Sequence, residues 1–312
     1  MKRALSLAIV LTLSAAGGFF AAACIGDEPG ALPSTNADSG DHDVFNPGLD
    51  AGDAGRSQGL PATIPGLVLW LDGDDPDRVR RADPGRNENV TAWLDKSPST
   101  PPRHFESVGA SSPLFVKNIF NGRSALSFTR LSKQYLKGPS FLGLSGAEAF
   151  LVAQTKQYVP PDAATLVSYG MWQFADVGSY HPAHDNAWHD SFAYNKVEPG
   201  KPPEQGLFWP PPANEMFTPH ILNVISNAQE WTASVDGIQR GTKAGSFGFP
   251  NGPTVVGGTL NSHLSEAAAP DDFFNGLIAE VIVYGQKLTT AEHDAVASYL
   301  STKWGISLDG GK

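Results

Sequence analysis

The sequence predicts an all-β protein, a two-sheet sandwich or jelly roll with one helix at its C-terminal end. Short apolar runs recur along the chain and are separated by breaks rich in Gly, Pro and Asn, as in folds built from many short strands. Helical periodicity is almost absent before residue 288. The pair Asp236-Gly237, which lies between apolar segments, is typical of a two-residue hairpin turn.

Strands are predicted where a short apolar run ends at a turn-forming stretch. The first, 67–71, is apolar throughout and stops at Asp-Gly-Asp-Asp-Pro, which predicts a strand buried on both faces and followed by a turn. The other predicted strands are 125–128, 150–153, 165–169, 221–226, 231–235, 254–256 and 277–284.

One helix is predicted near the C-terminus. Thr289 and Glu292 have the spacing of a capping box, in which each side chain accepts a hydrogen bond from the other residue's backbone N–H. Apolar residues then recur at helical spacing until Gly305 ends the helix. These residues are Val296, Tyr299, Leu300 and Trp304. We expect this stripe to pack on the outside of the sandwich or against a sheet edge.

The N-terminal residues 1–23 are typical of a secretion signal. Two cationic residues precede an apolar stretch, 4–20, that ends in small residues before Cys24, the only cysteine of the chain. The stretch is shorter than the ~20 residues with which a helix crosses a bilayer. The segment 21–24 resembles a bacterial lipobox with Ala21 in place of Leu, which implies that Cys24 carries lipid. The alternative is an ordinary signal peptide cut at Ala-x-Ala, which leaves Cys24 as a free thiol.

Residues 24–60 are predicted to form an acidic disordered tether. Seven Asp and Glu residues lie between 25 and 60 against the single cation Arg56, and Gly, Pro, Ser and Ala fill the space between them. Such a segment buries too little apolar surface to offset the entropy cost of ordering it. The remaining residues, 61–312, suffice for one large β domain or two small ones.

Composition and charge restrict the class of protein. A single cysteine excludes an intramolecular disulfide scaffold, so stability must come from a packed core. The net charge of −10 disfavours a nucleic-acid partner, and membrane contact is expected only through the N-terminal lipid. By resemblance to lipoprotein sorting, Ile25 after the cysteine favours the outer membrane.

Three blocks of the sequence resemble the concanavalin A-like lectin/glucanase family, and in particular its LamG-like jelly rolls. The first block is Leu-Val-Leu-Trp-Leu-Asp at 67–72, followed by Trp-Leu-Asp-Lys-Ser at 93–97. The second block is 121–128, followed by 135–136. The third block is 273–284, followed by the helix that ends at Lys-Trp-Gly. Together they bracket residues 65–306. The resemblance implies a concanavalin A-like jelly-roll β-sandwich with one C-terminal α-helix. In relatives the concave sheet and its rim loops bind glycans or proteins, although the fold also serves hydrolases.

The sequence lacks the carboxylate cluster of the hydrolases of this family. Retaining glucanases of the family place their nucleophile and acid/base on one strand as Glu-x-Asp-x-x-Glu, because alternate positions share a face. Glu280 is the one carboxylate inside a strongly predicted strand, and it stands alone with Ile278 and Ile282 as its same-face neighbours. We therefore interpret Glu280 as a buried or half-buried hydrogen-bond acceptor for the loop next to the C-terminal helix, and we assign no catalytic residue.

Histidines and aromatic residues cluster in the central third of the domain. The segment 181–190 holds three histidines and two aspartates, but their spacing fits no metalloenzyme motif, so metal binding is left open. Sugars present C–H faces that stack on indole rings, while Asp, Asn and His bond their hydroxyls, so this mixture suits a glycan site. The candidate ligand-binding residues are Trp172, Tyr180, His181, His184, Trp188, His189 and Trp209.

Tryptophans in a β-sandwich also belong to the core. We expect at least two of Trp172, Tyr180, Trp188 and Trp209 to be buried, and Trp70, Trp93 and Trp304 to be structural. The Asp-rich loop 72–75 has oxygen ligands that suit Ca²⁺, and a solvated turn is the alternative. No other cofactor is expected.

Taken as a whole, the sequence favours a lipid-anchored binding module of the cell envelope that recognises a glycan or a glycosylated surface. One alternative is a carbohydrate-active enzyme with a site built around His181, His184, Asp185 and His189. Another is a structural envelope protein without a small-molecule ligand. An open groove with clustered aromatics would favour the binding module. A pocket in which the histidines converge would favour the enzyme, and a flat, filled face would favour the structural protein.

Overall fold

The computed structural model describes residues 59–141, 143–156, 170–174, 177–180, 188–191, 206–209, 217–227, 229–245, 252–258 and 273–308. These residues belong to one compact unit that spans 51–312. For the strands between 170 and 209 the description is of the backbone. The predicted signal, Cys24, most of the tether and the predicted strand 165–169 lie outside the described residues.

Within those ranges the chain forms antiparallel strands and one α-helix. The strands are β1 (Leu67–Asp72), β2 (Val79–Asp83), β3 (Asn87–Trp93), β4 (Phe105–Ser107), β5 (Leu114–Phe120), β6 (Arg123–Phe128), β7 (Leu136–Phe141), β8 (Ala147–Thr155), β9 (Gly170–Phe174), β10 (Val177–Tyr180), β11 (Trp188–Ser191), β12 (Gly206–Trp209), β13 (His220–Ser226), β14 (Glu230–Val235), β15 (Ile238–Ala244), β16 (Gly252–Val256) and β17 (Gly276–Tyr284). The helix is α1 (Thr290–Trp304), and short 3₁₀ turns lie at Leu60–Thr63 and Arg130–Ser132.

The strands pair into two sheets. Sheet A has the order β5, β6, β17, β8, β13, β14 and β15. Strand β1 pairs with the same edge of β17 as β6 does. Sheet B has the order β2, β3, β4, β7, β16, β9, β10, β11 and β12. Among the described residues, one pair, Asn89 with Leu114, joins the two sheets at β3 and β5. The predicted jelly-roll sandwich is confirmed.

The first hydrophobic core fills the space between the sheets. Leu69 from β1 and Val281 from β17 meet Trp93 and Phe105 of sheet B there, all of them buried. Gly257 has φ +85°, and a Cβ at that position would overlap the ring of Phe128. Glycine is therefore required at this position both for the backbone conformation and for the close approach.

A second core lies on the other face of sheet A, under α1. Trp70, Phe150 and Ile282 from the sheet pack against Leu300 and Trp304 of the helix. The helix begins at the predicted capping box of Thr289 and Glu292 and ends at Gly305 in the left-handed conformation. The apolar stripe thus docks on the outside of the sandwich, as expected, and β17 is buried along its whole length because both of its faces are covered.

Other sequence expectations are also confirmed. Trp70, Trp93 and Trp304 are 2%, 0% and 1% exposed and belong to the cores. Asp236 and Gly237 both have positive φ, 51° and 79°, and join β14 to β15 as the predicted hairpin. In the part of the chain that the structure describes, no helix is long and apolar enough to cross a membrane.

Candidate functional site

The position of Glu280 is set by an irregularity in β17. The register of β17 against β8 shifts between Ile278 and Glu280. Ile278 lies in the core between the sheets, whereas Ile282 lies in the core under α1. The expectation that both isoleucines share a face with Glu280 is wrong for Ile278, because the bulge breaks the alternation of faces. Glu280 faces the helix together with Ile282.

The carboxylate of Glu280 is fully buried and accepts four hydrogen bonds. Trp70 Nε1 and the Tyr299 hydroxyl donate to Oε1 at 2.7 and 3.0 Å. Trp304 Nε1 and Lys303 Nζ donate to Oε2 at 2.6 and 2.9 Å. The prediction of a buried acceptor is confirmed, but the expected partner was the loop next to the helix, whereas the donors are one residue of β1 and three residues of α1 itself. Since both oxygens are fully occupied by protein donors, this carboxylate has no contact left for a substrate.

Glu280 does not stand alone, however. Asp72 is its Cα partner on the neighbouring strand β1. Lys303 Nζ bridges the two carboxylates, at 2.7 Å from Asp72 Oδ1 and 2.9 Å from Glu280 Oε2. Sequence reasoning compared positions along one strand and so missed a partner that lies across the sheet. The two are 208 positions apart in the numbering, and only the strand pairing brings them together.

Further cations neutralise the Asp-rich loop 72–75. Lys96 Nζ lies 2.9 Å from a carboxylate oxygen of Asp72 and 2.9 Å from one of Asp75, and 4.3 Å from the centre of the Trp70 ring. Arg123 Nη1 lies 2.6 Å from Asp74 Oδ2. We call Asp72, Asp74, Asp75, Lys96, Arg123, Glu280 and Lys303 the charged network.

This pairing bears on the Ca²⁺ expectation without deciding it. Among the described residues no group of three or more His, Cys, Asp or Glu side chains is arranged to hold a metal ion. The loop carboxylates instead face ammonium and guanidinium groups. Binding of Ca²⁺ stays a prediction.

The Asp-Lys-Ser sequence at 95–97 has a structural role beside this network. The Asp95 carboxylate accepts hydrogen bonds from the backbone N–H of Trp70 at 3.0 Å, of Ser97 at 2.8 Å and of Arg103 at 2.9 Å. These bonds fix the loop after β3 against β1. Lys96 is thereby held over the Trp70 ring.

Oppositely charged groups of the network stabilise one another, whereas burial outweighs Lys303 and raises the pKa of Glu280 above its ordinary value. Burial alone would raise the pKa of Asp72, but Lys303 and Lys96 outweigh it and hold that pKa below its ordinary value. Burial would lower the pKa of Lys96, and Asp72 and Asp75 raise it instead. Burial and the nearby Glu280 raise the pKa of Tyr299, so its phenol stays protonated and acts as a donor.

A cavity of about 820 Å³ opens above the charged network. The loop 72–76 forms one wall, and the side of α1 that carries Ser298, Tyr299 and Thr302 forms the other. Sequence analysis did not find this cavity. Its only signals were the Asp-rich loop and the Lys-Trp-Gly end of the helix, which lie far apart in the chain.

A second buried carboxylate, Glu148 of β8, holds the other end of α1. His293 Nδ1 and Asn223 Nδ2 lie 2.6 and 3.1 Å from Glu148 Oε1, and the backbone N–H of Leu288 donates to Oε2 at 3.0 Å. The hydrogen bond to Glu148 raises the pKa of His293 above its ordinary value. Sequence analysis missed Glu148 because the predicted strand began two residues after it, at 150, whereas β8 begins at Ala147.

The predicted ligand-binding residues divide between described and undescribed parts of the chain. His181 and His184, with Asp185, lie outside the described residues. The other five lie on the adjacent strands β9 to β12, where Trp188 pairs with Trp209 and Tyr180 with His189. The backbone therefore brings five of the seven predicted residues together at one end of sheet B.

The register also divides these five positions into two sets. Trp172 pairs with Val256, which lies in the core between the sheets, and with Ser179 on the other side. Ser179 pairs with Asp190, two positions from Trp188. Because opposed residues and alternate residues share a face, the three tryptophan positions belong to one face and Tyr180 and His189 to the other. The burial of these side chains stays a prediction.

Comparison with known proteins supports the fold. No protein-family model matches the sequence, and no curated protein matches it. Among solved structures, the binding domain of botulinum neurotoxin serotype G matches with a TM-score of 0.50 at 10% identity, over 77% of this chain and 54% of that chain. A Trypanosoma rangeli sialidase in complex with sialic acid matches with a TM-score of 0.39 at 11% identity, over 78% of this chain and 34% of that chain. The chain thus spans about half the length of the toxin structure, and the likeness at this identity concerns the β-sandwich alone.

Proposed function

We propose that this protein is an exported, lipid-anchored binding module of the cell envelope that recognises a glycan through the β9–β12 end of sheet B. The observation that carries the proposal is the backbone register, which collects the five predicted positions on four neighbouring strands. Tyr180 and His189 share the face opposite to that of Val256 in the core, and the three tryptophan positions share the face of Val256. An aromatic ring beside a polar side chain, as at Tyr180 and His189, forms the type of surface on which sugars stack and bond.

The difference between the two sheets supports the choice of sheet B. In sheet A, helix α1 covers the outer face and buries β17 on both sides. In β2 and β4 of sheet B, buried and exposed residues alternate instead, with Val79 and Phe105 buried and Arg80 and Glu106 exposed. Such alternation is typical of strands that keep one face in water. β16, which pairs with β9, is instead buried at Thr254, Val255 and Val256, so access of a ligand to β9–β12 is a matter for the binding experiment.

The charged network favours binding over hydrolysis. Glycosidases need a pair of carboxylates of which at least one can exchange a proton with the substrate. Glu280 has four protein donors and no exposed surface, and Asp72 is held by Lys96 and Lys303. The toxin structure that shares the fold is itself a binding domain. An enzyme built on the histidines of 181–189 is tested by the metal experiment below.

Glycan-array binding of the mature chain with Cys24→Ser tests the proposal. If the tryptophan positions form the stacking surface, Trp188→Ala weakens binding by ~1 to 3 kcal/mol without loss of folding. Trp231→Ala is the matched control for a core tryptophan, since that ring is 0% exposed between the sheets. If Trp188→Ala loses its fold as Trp231→Ala is expected to, Trp188 belongs to the core. Tyr180 and His189 then remain as the binding face. Failure of every glycan to bind would contradict the proposal.

Removal of metal tests the alternative that the histidines of 181–189 form a metalloenzyme site. Treatment with EDTA that changes neither affinity nor melting temperature would exclude the histidines as metal ligands and the metalloenzyme with them. A loss of glycan binding that Zn²⁺ restores would favour the enzyme or a metal-dependent lectin.

The anchor is tested by fractionation of cells. The lipobox-like segment 21–24 predicts that Cys24→Ser moves the protein from the membrane fraction to the aqueous fraction, because acyl chains contribute ~0.8 kcal/mol per buried CH₂. An unchanged membrane fraction would contradict lipidation at Cys24. The outer membrane is proposed from Ile25, and separation of inner and outer membranes measures it.

A further inference from the structure

We propose that the cavity between the loop 72–76 and helix α1 is a second binding site, and that it takes an uncharged, polyhydroxylated ligand of the size of one or two saccharide units. The site uses none of the residues of β9–β12, so it goes beyond the function proposed above. Its volume of about 820 Å³ lies within the range of small-molecule pockets, roughly 300 to 1,000 Å³.

The balance of charges in the cavity determines the class of ligand. Three carboxylates and three cations line it, and every carboxylate lies within 3 Å of a cation. An ionic ligand would have to compete with one of these pairs and would leave a charged side chain without its partner, which is costly in a partly buried site. A neutral ligand leaves all the pairs intact.

The remaining hydrogen-bonding capacity suits hydroxyl groups. The carboxylates of Asp74 and Asp75 are 22% and 24% exposed, and an ionised carboxylate offers about four acceptor positions. Ser298 and Thr302 lie one turn apart on the exposed side of α1 and add two hydroxyls to the same cavity. A hydroxyl both donates and accepts, so a polyol matches a lining that mixes acceptors with the N–H donors of Arg123.

The cavity also offers apolar contact at its rim. Leu60 is 38% exposed and lines the cavity together with Pro76. The C–H face of a sugar ring packs on such groups while its hydroxyls reach the charged side chains. The cavity thus has paired charges at its floor, the hydroxyls of Ser298 and Thr302 on one wall, and apolar groups at its rim. These features together suit a sugar better than water alone.

Saturation-transfer NMR on the mature chain with Cys24→Ser tests the site. The probes are the methyl glycosides of glucose, galactose, mannose and N-acetylglucosamine, with inorganic phosphate and spermidine as charged competitors. We expect transfer to at least one glycoside, and neither charged competitor should displace it. Ser298→Trp, which fills the cavity from an exposed position, should weaken that binding by about tenfold or more, equivalent to ~1.4 kcal/mol.

Matched variants make the result specific. Ala291→Trp places the same ring on an exposed position of the first turn of α1, outside the cavity, and should leave binding unchanged. Thr302→Trp replaces Ser298→Trp if circular dichroism shows that the latter is unfolded. Absence of transfer to all four glycosides, equal binding by the filled variant, or displacement by phosphate or spermidine would overturn the proposal.

Discussion

The two ends of helix α1 are held by the same device, a buried strand carboxylate, but with different sources of charge. Glu280 of β17 and Glu148 of β8 are both 0% exposed. Toward the C-terminal end of α1, Glu280 meets the ammonium of Lys303 at 2.9 Å. At the N-terminal end, Glu148 meets His293, whose charge depends on pH. One end of the helix is therefore anchored through a lysine and the other through a histidine, the residue type that changes charge near neutral pH.

The comparison shows why a single surface helix is attached so firmly to this sandwich. Each carboxylate joins one central strand of sheet A to side chains of the helix or to the backbone just before it. Apolar packing alone would allow the helix to slide on the sheet, whereas directional hydrogen bonds to a buried acceptor set its position. The loop 72–76 is fixed by the same network, and this fixes the cavity between loop and helix.

The largest effect is expected from Glu280→Gln. The substitution removes the negative charge but retains the shape, so Lys303 keeps only Asp72 as a charged partner and two indole N–H groups lose an anionic acceptor. Breaking a buried ion pair in this way costs about 3 to 5 kcal/mol in the free energy of unfolding. Urea titration at pH 7 measures it.

The double variant Glu280→Gln with Lys303→Met is the control for charge. It removes both charges and leaves Asp72 paired with Lys96, and it should recover part of the lost stability because a buried ammonium no longer faces a neutral amide. A single variant Glu280→Gln that unfolds at the same urea concentration as the parent chain would mean that the charge at this end of the helix is not needed.

Much of the fold was predictable because its signals are local. The hairpin at Asp236-Gly237, the capping box at Thr289 and the helix end at Gly305 each depend on neighbouring residues, and all three are confirmed. The buried strand β1 was also predictable, because an unbroken apolar run is typical of a strand with both faces covered.

The charged network was not predictable, because its members come from distant segments. Asp72 and Glu280 are cross-strand partners, and the bulge before Glu280 changes the face on which it lies. A one-residue irregularity in register cannot be read from alternation of apolar residues, which gave the wrong neighbour in Ile278. The same difficulty hides the cavity, whose two walls come from opposite ends of the domain.

A smaller effect is expected from Tyr299→Phe, with Tyr284→Phe as the matched control. The Tyr299 hydroxyl donates to the charged Glu280 at 3.0 Å, whereas the Tyr284 hydroxyl donates to the neutral carbonyl of Pro61 at 3.2 Å. Hydrogen bonds to charged groups contribute about 1.5 to 3 kcal/mol and neutral ones about 0.5 to 1.5 kcal/mol. Thermal unfolding should therefore rank Tyr299→Phe as the more destabilising. The reverse order would show that Glu280 does not depend on its phenol donor.

The smallest effect is the pH dependence of the contribution that His293 makes to the free energy of unfolding. It tests whether the two ends of the helix are held in different ways. Its bond to Glu148 raises the pKa of His293 above its unfolded value, so the folded state holds the proton more tightly than the unfolded state. This contribution is complete below the unfolded pKa of about 6.5 and is lost as pH rises through the folded pKa. His293 is 27% exposed at its side chain, and Asp294 and Lys287 also act on it, so we expect on the order of 1 kcal/mol.

The measurement is the difference in unfolding free energy between the parent chain and His293→Gln as pH rises from 6 to 9. The difference should shrink over this range, because the imidazolium that pairs with Glu148 becomes neutral in the parent and is absent from the variant. The cost of Glu280→Gln, measured in parallel, should not follow the titration of His293, because the partner at that end of the helix is a lysine. If the His293→Gln difference stayed constant, the two ends of the helix would be anchored alike, and the hydrogen bond rather than the charge would hold the N-terminal end.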